Sequence, residues 1–435
     1  MRIPGRGLIW AFVGLVALVC LASLRSGDLS DPGSLLNYLG RVTGILGTVL
    51  LLLAAALIAR IPGVDRAFGG LTSLWRTHHL LGAGALLLLM AHPMLLALGA
   101  MDVSWNAAMS TLFPPLSNTG IWLGWTALIM MMIFLAPSFS FFGRPEYQRW
   151  KWVHRLSGPA VVLGLLHVFK YGRTLPGWLE TALWIGLALM AVGAVIWRLI
   201  FARWFGAIRY RIRHVDRVAN NLVELRLEPA GRRRIRYRAG QFVYLTPLDR
   251  GLAAGHGEEH PYTISSAPEE PEIRIAIKDL GDASRALQSV KPDTPVILEG
   301  PYGDFFPDTE SGAPELWVAG GIGITPFLGR TRHLAEAGGR ADVHLIYCVQ
   351  DEARARFLEE LRELASRISG FELHVHYFYR EGPLDEAFVT TCCPDLASRH
   401  FYVCGPEPLN RLVRSIARSN GVPGSKIHSE EFELL

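Results

Sequence analysis

The chain is short of charge and of cysteine. Only 19% of its 435 residues are Asp, Glu, Lys or Arg, while 50% are hydrophobic, and mean hydropathy is +0.25. That balance excludes an ordinary soluble globular protein. The five cysteines (Cys20, Cys348, Cys392, Cys393, Cys404) show neither zinc nor iron–sulfur spacing and imply no disulfide framework. EF-hand, iron–sulfur and SH3-ligand segments are missing too, so calcium or a cytosolic organiser has no visible handle. The shortage of charge is uneven. The first half is apolar and rich in Leu, Ala, Gly and Trp, and the second has ordinary charge density. The length suits two or three domains, here a membrane domain followed by a soluble module. Net charge is +4, and eleven arginines lie between Arg203 and Arg238. A basic segment after a last membrane helix reads as a cytoplasmic anchor on anionic lipid, with no nucleic-acid partner.

Six apolar stretches, 7–24, 42–59, 80–100, 120–136, 153–168 and 178–199, approach the ~20 residues that cross a bilayer. The first follows a short basic start as a signal peptide would. Its run is long for that role and 21–27 is a poor cleavage site, so it is read as a span. Arginine and lysine concentrate before the first stretch, between the second and third, between the fourth and fifth, and after the sixth. The positive-inside rule then predicts both termini in the cytoplasm; the expected location is a plasma (bacterial inner) membrane.

Ionisable side chains within such stretches mark function by default. LWRTHHLLGAGALLLLMAHPM (74–94) holds His78, His79 and His92, and WVHRLSGPAVVLGLLHVF (152–169) holds His154 and His167. The first pair, His78 and His92, is 14 residues apart and the second is 13. Fourteen residues are close to four helical turns and ~21 Å, so both histidines share a face at two depths. Thirteen fit less well and require a distorted fifth helix, for which Pro159, or Gly158 with Gly164, supplies the means. Both stretches begin His-x-Leu-x-Gly, which selects His78 over His79, since His79 stands where Arg155 does. Paired neutral imidazoles in a dry bundle suit two b haems, with metal ligands His78 and His154 at the inner level, His92 and His167 at the outer. His79 is left at the inner haem edge. Arg41 stands at the outer end of the second span, where it either meets a haem propionate or the acceptor, or snorkels.

From residue 208 the pattern changes to short strands with Gly and Pro turns, as in a small antiparallel barrel. HPYTISSAP (260–268) lies among them. Its Tyr262 suits a flat heterocycle, and Thr263 and Ser265 offer hydroxyls to the ring atoms. LWVAGGIGITPFLGRTRHL (316–334) then reads as strand, glycine turn and helix. Gly320, Gly321 and Gly323 let backbone approach a pyrophosphate at a helix N-terminus, although Pro326 breaks the full dinucleotide fingerprint. Further strands at 343–349, 371–379 and from 400 alternate with helices, which predicts a parallel sheet. Cys404, Gly405 and Pro406 end one of those strands, where a nicotinamide would lie.

With these residues in view, the chain resembles the ferric reductase/NADPH oxidase superfamily along nearly its whole length. HPYTISSAP resembles the family's flavin motif, GPYGDF (300–305) and GGIGITPF (320–327) its next two signatures, and VCGP (403–406) its nicotinamide-side motif. The resemblance implies a multidomain protein. Residues 1–205 would form a six-helix transmembrane di-haem bundle, 206–310 an antiparallel β-barrel FAD domain, and 311–435 an α/β parallel-sheet NAD(P)H-binding domain. It implies that His260, Pro261, Tyr262 and Thr263 hold the flavin and that Lys278 and Ser284 sit near its phosphates. Gly320 to Thr325 would cradle the dinucleotide, and Cys404 would face hydride transfer. An aromatic residue often ends the family's chains over the flavin; Phe432 is the candidate, although three residues follow it. Gln350 stands where an arginine usually meets the 2′-phosphate of NADPH, with Arg354 and Arg356 as substitutes, so both NADH and NADPH stay open.

The expected activity is transmembrane electron transfer from NAD(P)H through FAD and two b haems to an outer acceptor. Oxygen, giving superoxide, is preferred because the outer loops are short and poor in charge. A ferric chelate or a periplasmic partner protein would make the chain a ferric reductase or an electron-transfer subunit. A histidine-lined proton channel would leave the flavin and nucleotide motifs without purpose.

Overall fold

A computed structural model describes residues 5–61, 63–138, 147–172, 174–307 and 312–430, without the side chains of 147–149, 199 and 203–205. The chain divides into two compact units, Met1–Ile61 with Ser73–Ala202, and Pro62–Thr72 with Arg203–Leu435. The connection at 62–72 therefore packs with the second unit.

The first unit is all helical: α1 (Gly5–Ala22), α2 (Pro32–Leu57), α3 (Leu71–Ala100), α4 (Trp105–Leu112), α5 (Thr119–Leu135), α6 (Tyr147–His154), α7 (Ser157–Tyr171) and α8 (Gly177–Ile196). Among the described residues, six helical stretches are long and apolar enough to cross a membrane, one for each apolar stretch expected from the sequence. Local signals set their ends. Asp31 caps α2 by accepting from Ser34 N at 2.8 Å, and Pro32 opens it where a missing N–H costs nothing. Among lipid tails, helices gain from close backbone approach at small residues. Gly40, Gly44 and Gly47 form such a row on α2, and a Cβ there would meet Leu96, His92 and Leu89 of α3 within 2.9 Å. The core joins Val49 to Ala54, Leu81, Ala85, Met131, Phe134 and Trp184.

The distortion expected in the fifth span is present. The helix stops at His154 and restarts at Ser157, with three-residue turns from Arg155 N to Trp152 O and from Gly158 N to Arg155 O. Pro159 is the cause. A proline ring clashes with the carbonyl four residues back, which is Arg155, and supplies no N–H in return.

The second unit opens with β1 (Ala207–Ala219), β2 (Leu222–Pro229), β3 (Phe242–Pro247), β4 (His260–Thr263), β5 (Ile273–Lys278), the short helix α9 (Asp282–Ala286) and β6 (Pro295–Tyr302). These strands form one antiparallel sheet in the order β4-β3-β6-β1-β2-β5. It curls until its edges meet at one bridge, Ile264 to Ile275, giving a half-barrel around Val223, Leu225, Val243, Leu245, Ile275 and Leu298.

Then follow β7 (Glu315–Gly320), α10 (Thr325–Glu336), β8 (Arg340–Val349), α11 (Leu358–Ser366), β9 (Ser369–Tyr377), α12 (Phe378–Glu381), α13 (Glu386–Cys392), β10 (His400–Cys404), α14 (Glu407–Ser419) and β11 (Ile427–Glu430). The sheet is parallel, in the order β11-β10-β7-β8-β9. Four of its strands match the sequence reading; β11 is the fifth. Arg332 on α10 ties the two sheets together. Its guanidinium donates to Ser265 O at 2.7 Å, to Glu224 at 3.2 Å and to Glu360 at 2.7 and 2.9 Å. Gly329 allows that approach, since a Cβ there would lie 3.0 Å from Ile264 O.

Candidate functional site

In the first unit the four histidines meet in two pairs. The ring centres of His78 and His154 are 6.3 Å apart, and those of His92 and His167 are also 6.3 Å apart. Two imidazoles facing one metal across bonds of ~2 Å, with ~1.1 Å more to each ring centre, span ~6 Å. Three of the four rings have a fixed tautomer. Nδ1–H of His78 donates to Ala54 O (2.9 Å), that of His92 to Gly40 O (2.6 Å) and that of His167 to Gly120 O (2.8 Å). Each bond leaves Nε2 as the free donor atom for a metal, the usual arrangement of a ligating histidine. His154 instead stacks on Trp150 (4.8 Å between centres) and meets Phe134 edge-on (5.1 Å), with the Phe134 backbone near its buried Nδ1 but no hydrogen bond of good geometry.

The acceptors follow a pattern. His78 and His92 lie 14 apart on α3, and their acceptors Ala54 and Gly40 lie 54 − 40 = 14 apart on the antiparallel α2. Ala54 O is in the last turn of α2, where carbonyls lack intrahelical partners. Gly40 and Gly120 are not so placed, and there a second glycine stands one turn on. A Cβ on Gly44 would lie 2.7 Å from His92 Nδ1, and one on Gly124 would lie 2.9 Å from His167 Nδ1. Gly-x-x-x-Gly thus occurs twice, at 40–44 and 120–124, with the first glycine accepting the hydrogen bond and the second clearing room for the ring. His79 lies beside His78, 5.8 Å between centres, and is exposed. Arg41 lines the cavity of the His92–His167 pair, where it is paired with Asp28 at 2.6 Å.

In the second unit, most of the expected flavin residues line one pocket. It is walled by His260, Pro261, Tyr262, Thr263, Lys278, Ser284 and Thr325, together with Phe242, Ile322, Thr72 and Glu430. Ser265 is a correction. It lies beyond the end of β4, so the alternation that would aim it with Thr263 has ended. Its fully buried hydroxyl donates to Glu224 at 2.9 Å, facing the Arg332 junction instead of the pocket. Ser284 borders the pocket while its oxygen accepts from the Leu280 and Gly281 amides, both at 2.9 Å.

The glycine turn follows β7. A Cβ on Gly323 would fall 2.6 Å from the Cys404 carbonyl carbon, and one on Gly320 2.8 Å from Pro406 Cδ. The turn therefore packs backbone to backbone on Cys404-Gly405-Pro406. Cys404 is fully buried; burial, then the Glu430 charge, holds its thiol well above the ordinary range, so it stays protonated. Beside the turn, Gly321, Ile322 and Ile324 line a second pocket with Lys278, Gln350, Arg354 and Arg356.

Glu430 and Asp65 escaped the sequence reading. Glu430 ends β11, next to Cys404 in register, and faces the pocket. Burial, then the charges of Asp304 and Asp65, push its carboxyl up to about 8. Asp65, in the 62–72 connection, is buried and accepts from Gly303 N at 2.9 Å. Only the acidic residue two places before Phe432 hinted at Glu430, and nothing local hinted at Asp65. Phe432 lies outside the described residues.

Comparison with known proteins matches these regions one by one. Residues 43–165 match a ferric reductase like transmembrane component, 207–305 an FAD-binding domain and 317–415 an oxidoreductase NAD-binding domain. A glycine betaine monooxygenase reductase subunit of Chromohalobacter salexigens is 28% identical over 211 residues, 45% of this chain and 56% of that protein. The chain thus spans about half of that relative. A ferredoxin–NADP reductase B of Sorangium cellulosum is 29% identical over 228 residues, 48% of this chain and 91% of that protein. A flavohemoglobin structure from Malassezia yamatoensis aligns with a TM-score of 0.53 at 17% identity, over 92% of this chain and 99% of that one, a likeness of fold. The chain thus joins a ferric reductase-like transmembrane component to an FAD-binding domain and an oxidoreductase NAD-binding domain, the domain set of the ferric reductase/NADPH oxidase-like superfamily.

Proposed function

We propose that this chain carries electrons from cytoplasmic NAD(P)H across a plasma membrane to oxygen, using FAD and two b haems. The observation that supports it most is the repeated imidazole pair at 6.3 Å, three of whose four rings are locked with Nε2 free. The division of labour is 1–205 for the haems, 206–310 for FAD and 311–435 for NAD(P)H. When bound, FAD would supply hydride-accepting chemistry and the haems one-electron chemistry. His78 and His154 hold the inner iron, and His92 and His167 the outer. His260 to Thr263 bind the flavin ring, Lys278 supplies positive charge to its phosphates, and Ser284 orders the adjoining turn. Gly320 to Thr325, with Arg354 and Arg356, bind the dinucleotide phosphates. Cys404 is a buried thiol that sets the turn and donates nothing as thiolate. Glu430 keeps a proton on its carboxyl beside the pocket.

Arginine and lysine placement supports cytoplasmic termini. So does the packing of 62–72 with the unit that carries both sheets. For the acceptor, the connection 101–118 holds a single ionisable side chain, Asp102, and Arg41 is already paired with Asp28. The other outer connections add only the cations Arg25, Lys170 and Arg173, a sparse set for an anionic chelate, which favours a small neutral acceptor. Two measurements test the proposal. Dithionite-reduced, haem-replete protein should show two b haems per chain; a spectrum without b haem refutes the central claim. In sealed proteoliposomes, NAD(P)H should drive dismutase-sensitive cytochrome c reduction faster than anaerobic ferric-chelate reduction, and the reverse order would make the chain a ferric reductase.

A further inference from the structure

We propose that the α/β lobe carries a divalent transition-metal site, built by His344 of β8 with Glu372 and His374 of β9. Glu372 and His374 are two apart on one strand and so share a face, and His344 stands opposite Glu372 in the parallel register. Three donor atoms converge: His344 Nδ1 and His374 Nε2 are 3.4 Å apart, and Glu372 Oε2 is 3.5 Å from each. A tetrahedral ion with bonds of ~2.1 Å to nitrogen and oxygen has its ligand atoms ~3.4 Å apart. The triangle therefore already has the size of one face of such a tetrahedron.

A proton shared by the two imidazoles would also bring the nitrogens together. Its positive charge would draw in the carboxylate as well, and metal titration separates the two readings. The rings are within 6° of parallel, with centres 5.6 Å apart. Among the described residues this is the one such grouping of His, Cys, Asp and Glu donors. Imidazole and carboxylate select Zn²⁺, Ni²⁺ or Cu²⁺ over thiolate-seeking ions, and the fourth position is left to water.

Location says what the site does. β9 is the edge strand of the parallel sheet. The donors sit near the middles of β8 and β9, whereas Gly321 and Gln350, which line the nucleotide pocket, follow the far ends of β7 and β8. The ion would clamp the edge strand to its neighbour and stay off the electron path. The inference is independent of the acceptor and of the haem assignment.

The test is zinc titration of tag-free, EDTA-stripped, haem- and FAD-loaded full-length protein, followed by calorimetry. One zinc per chain is expected beyond any background shown by His374→Gln, with affinity reduced at least ~10-fold in Glu372→Gln. Glu372 is 61% exposed, so its replacement leaves the fold intact, and retained NAD(P)H oxidation checks this. Cobalt should give the intense visible bands of a four-coordinate ion in wild type and lose them in His374→Gln. Identical zinc isotherms for wild type and both variants overturn the proposal, as does a weak six-coordinate cobalt spectrum in wild type.

Discussion

Two alanine substitutions test how the His92–His167 pair is built. In Gly44→Ala the new methyl would lie 2.7 Å from His92 Nδ1, and in Gly124→Ala 2.9 Å from both Nδ1 and Cε1 of His167. Ordinary contact begins at 3.4 Å, so the rings must retreat by 3.4 − 2.7 = 0.7 Å and 3.4 − 2.9 = 0.5 Å. Neither ring can do so freely, because its Nδ1 is held against the same helix face by the bonds to Gly40 O and Gly120 O, at 2.6 and 2.8 Å. Giving up one of these costs ~1 kcal/mol, and metal ligands tolerate errors of only ~0.5 Å. The His78–His154 pair, 14 and 13 residues away, relies on neither glycine. Haem content by pyridine haemochrome should therefore fall from two to about one per chain. The retained haem should still be reduced by NAD(P)H, while reduction of the final acceptor drops ~10-fold or more. Gly186→Ala, where nothing lies within 4 Å of the new methyl, is the control. Two haems with unchanged midpoint potentials in both variants, or an equal loss in Gly186→Ala, would refute the reasoning.

Three further outcomes probe the second unit. Gly323→Ala places a methyl 2.6 Å from the Cys404 carbonyl carbon, against backbone that cannot move aside; NAD(P)H oxidation should fall at least ~10-fold with both haems retained, by steady-state assay beside haem quantitation. Glu430 has a folded pKa raised to about 8 from 4.5, so its stabilising contribution is complete below the lower value and fades as pH rises through the higher. Glu430→Gln should remove that slope: wild type should lose melting temperature relative to the variant between those limits, and parallel curves would show that the carboxyl carries no buried proton. Gln350→Arg puts a fork-shaped cation in the pocket of Gly321, Arg354 and Arg356, and should raise kcat/KM for NADPH over NADH by about tenfold; an unchanged ratio would place the 2′ position elsewhere.

Much of this was legible because it is local. Apolar runs of bilayer length gave the six helical stretches, and period-two and strand–turn–helix patterns gave the two sheets. The uncomfortable 13-residue spacing correctly pointed to a break, although the break falls at Arg155 and Leu156 and not at Pro159 itself, since proline acts on the carbonyl four residues back. Ser265 was not legible because β4 ends at Thr263 and its hydroxyl turns to Glu224, a partner 41 residues away in sequence. Glu430 and Asp65 lay beyond sequence reasoning for a different cause. They gather with Asp304 from segments hundreds of residues apart, and β11 is four residues of ordinary composition that becomes a strand only by pairing with β10.

The glycines answer a question that the histidines raise. An imidazole that gives Nε2 to a metal still has a polar Nδ1–H, and inside a bilayer no water is at hand to take it. The nearest acceptors are helix carbonyls, most already engaged in their own ladder yet with a lone pair to spare. A side chain on the next turn normally bars a ring from reaching one. His78 avoids the difficulty by taking Ala54, a carbonyl the end of α2 leaves open, and so needs no glycine at Ile58. His92 and His167 reach helices well before their ends, and at both a glycine stands four residues after the acceptor. Two unrelated helix pairs arriving at the same device argues that the hydrogen bond, and not helix packing alone, dictates those glycines. Packing alone would be satisfied by alanine at one of them; a ring held at 2.6–2.8 Å from backbone is not.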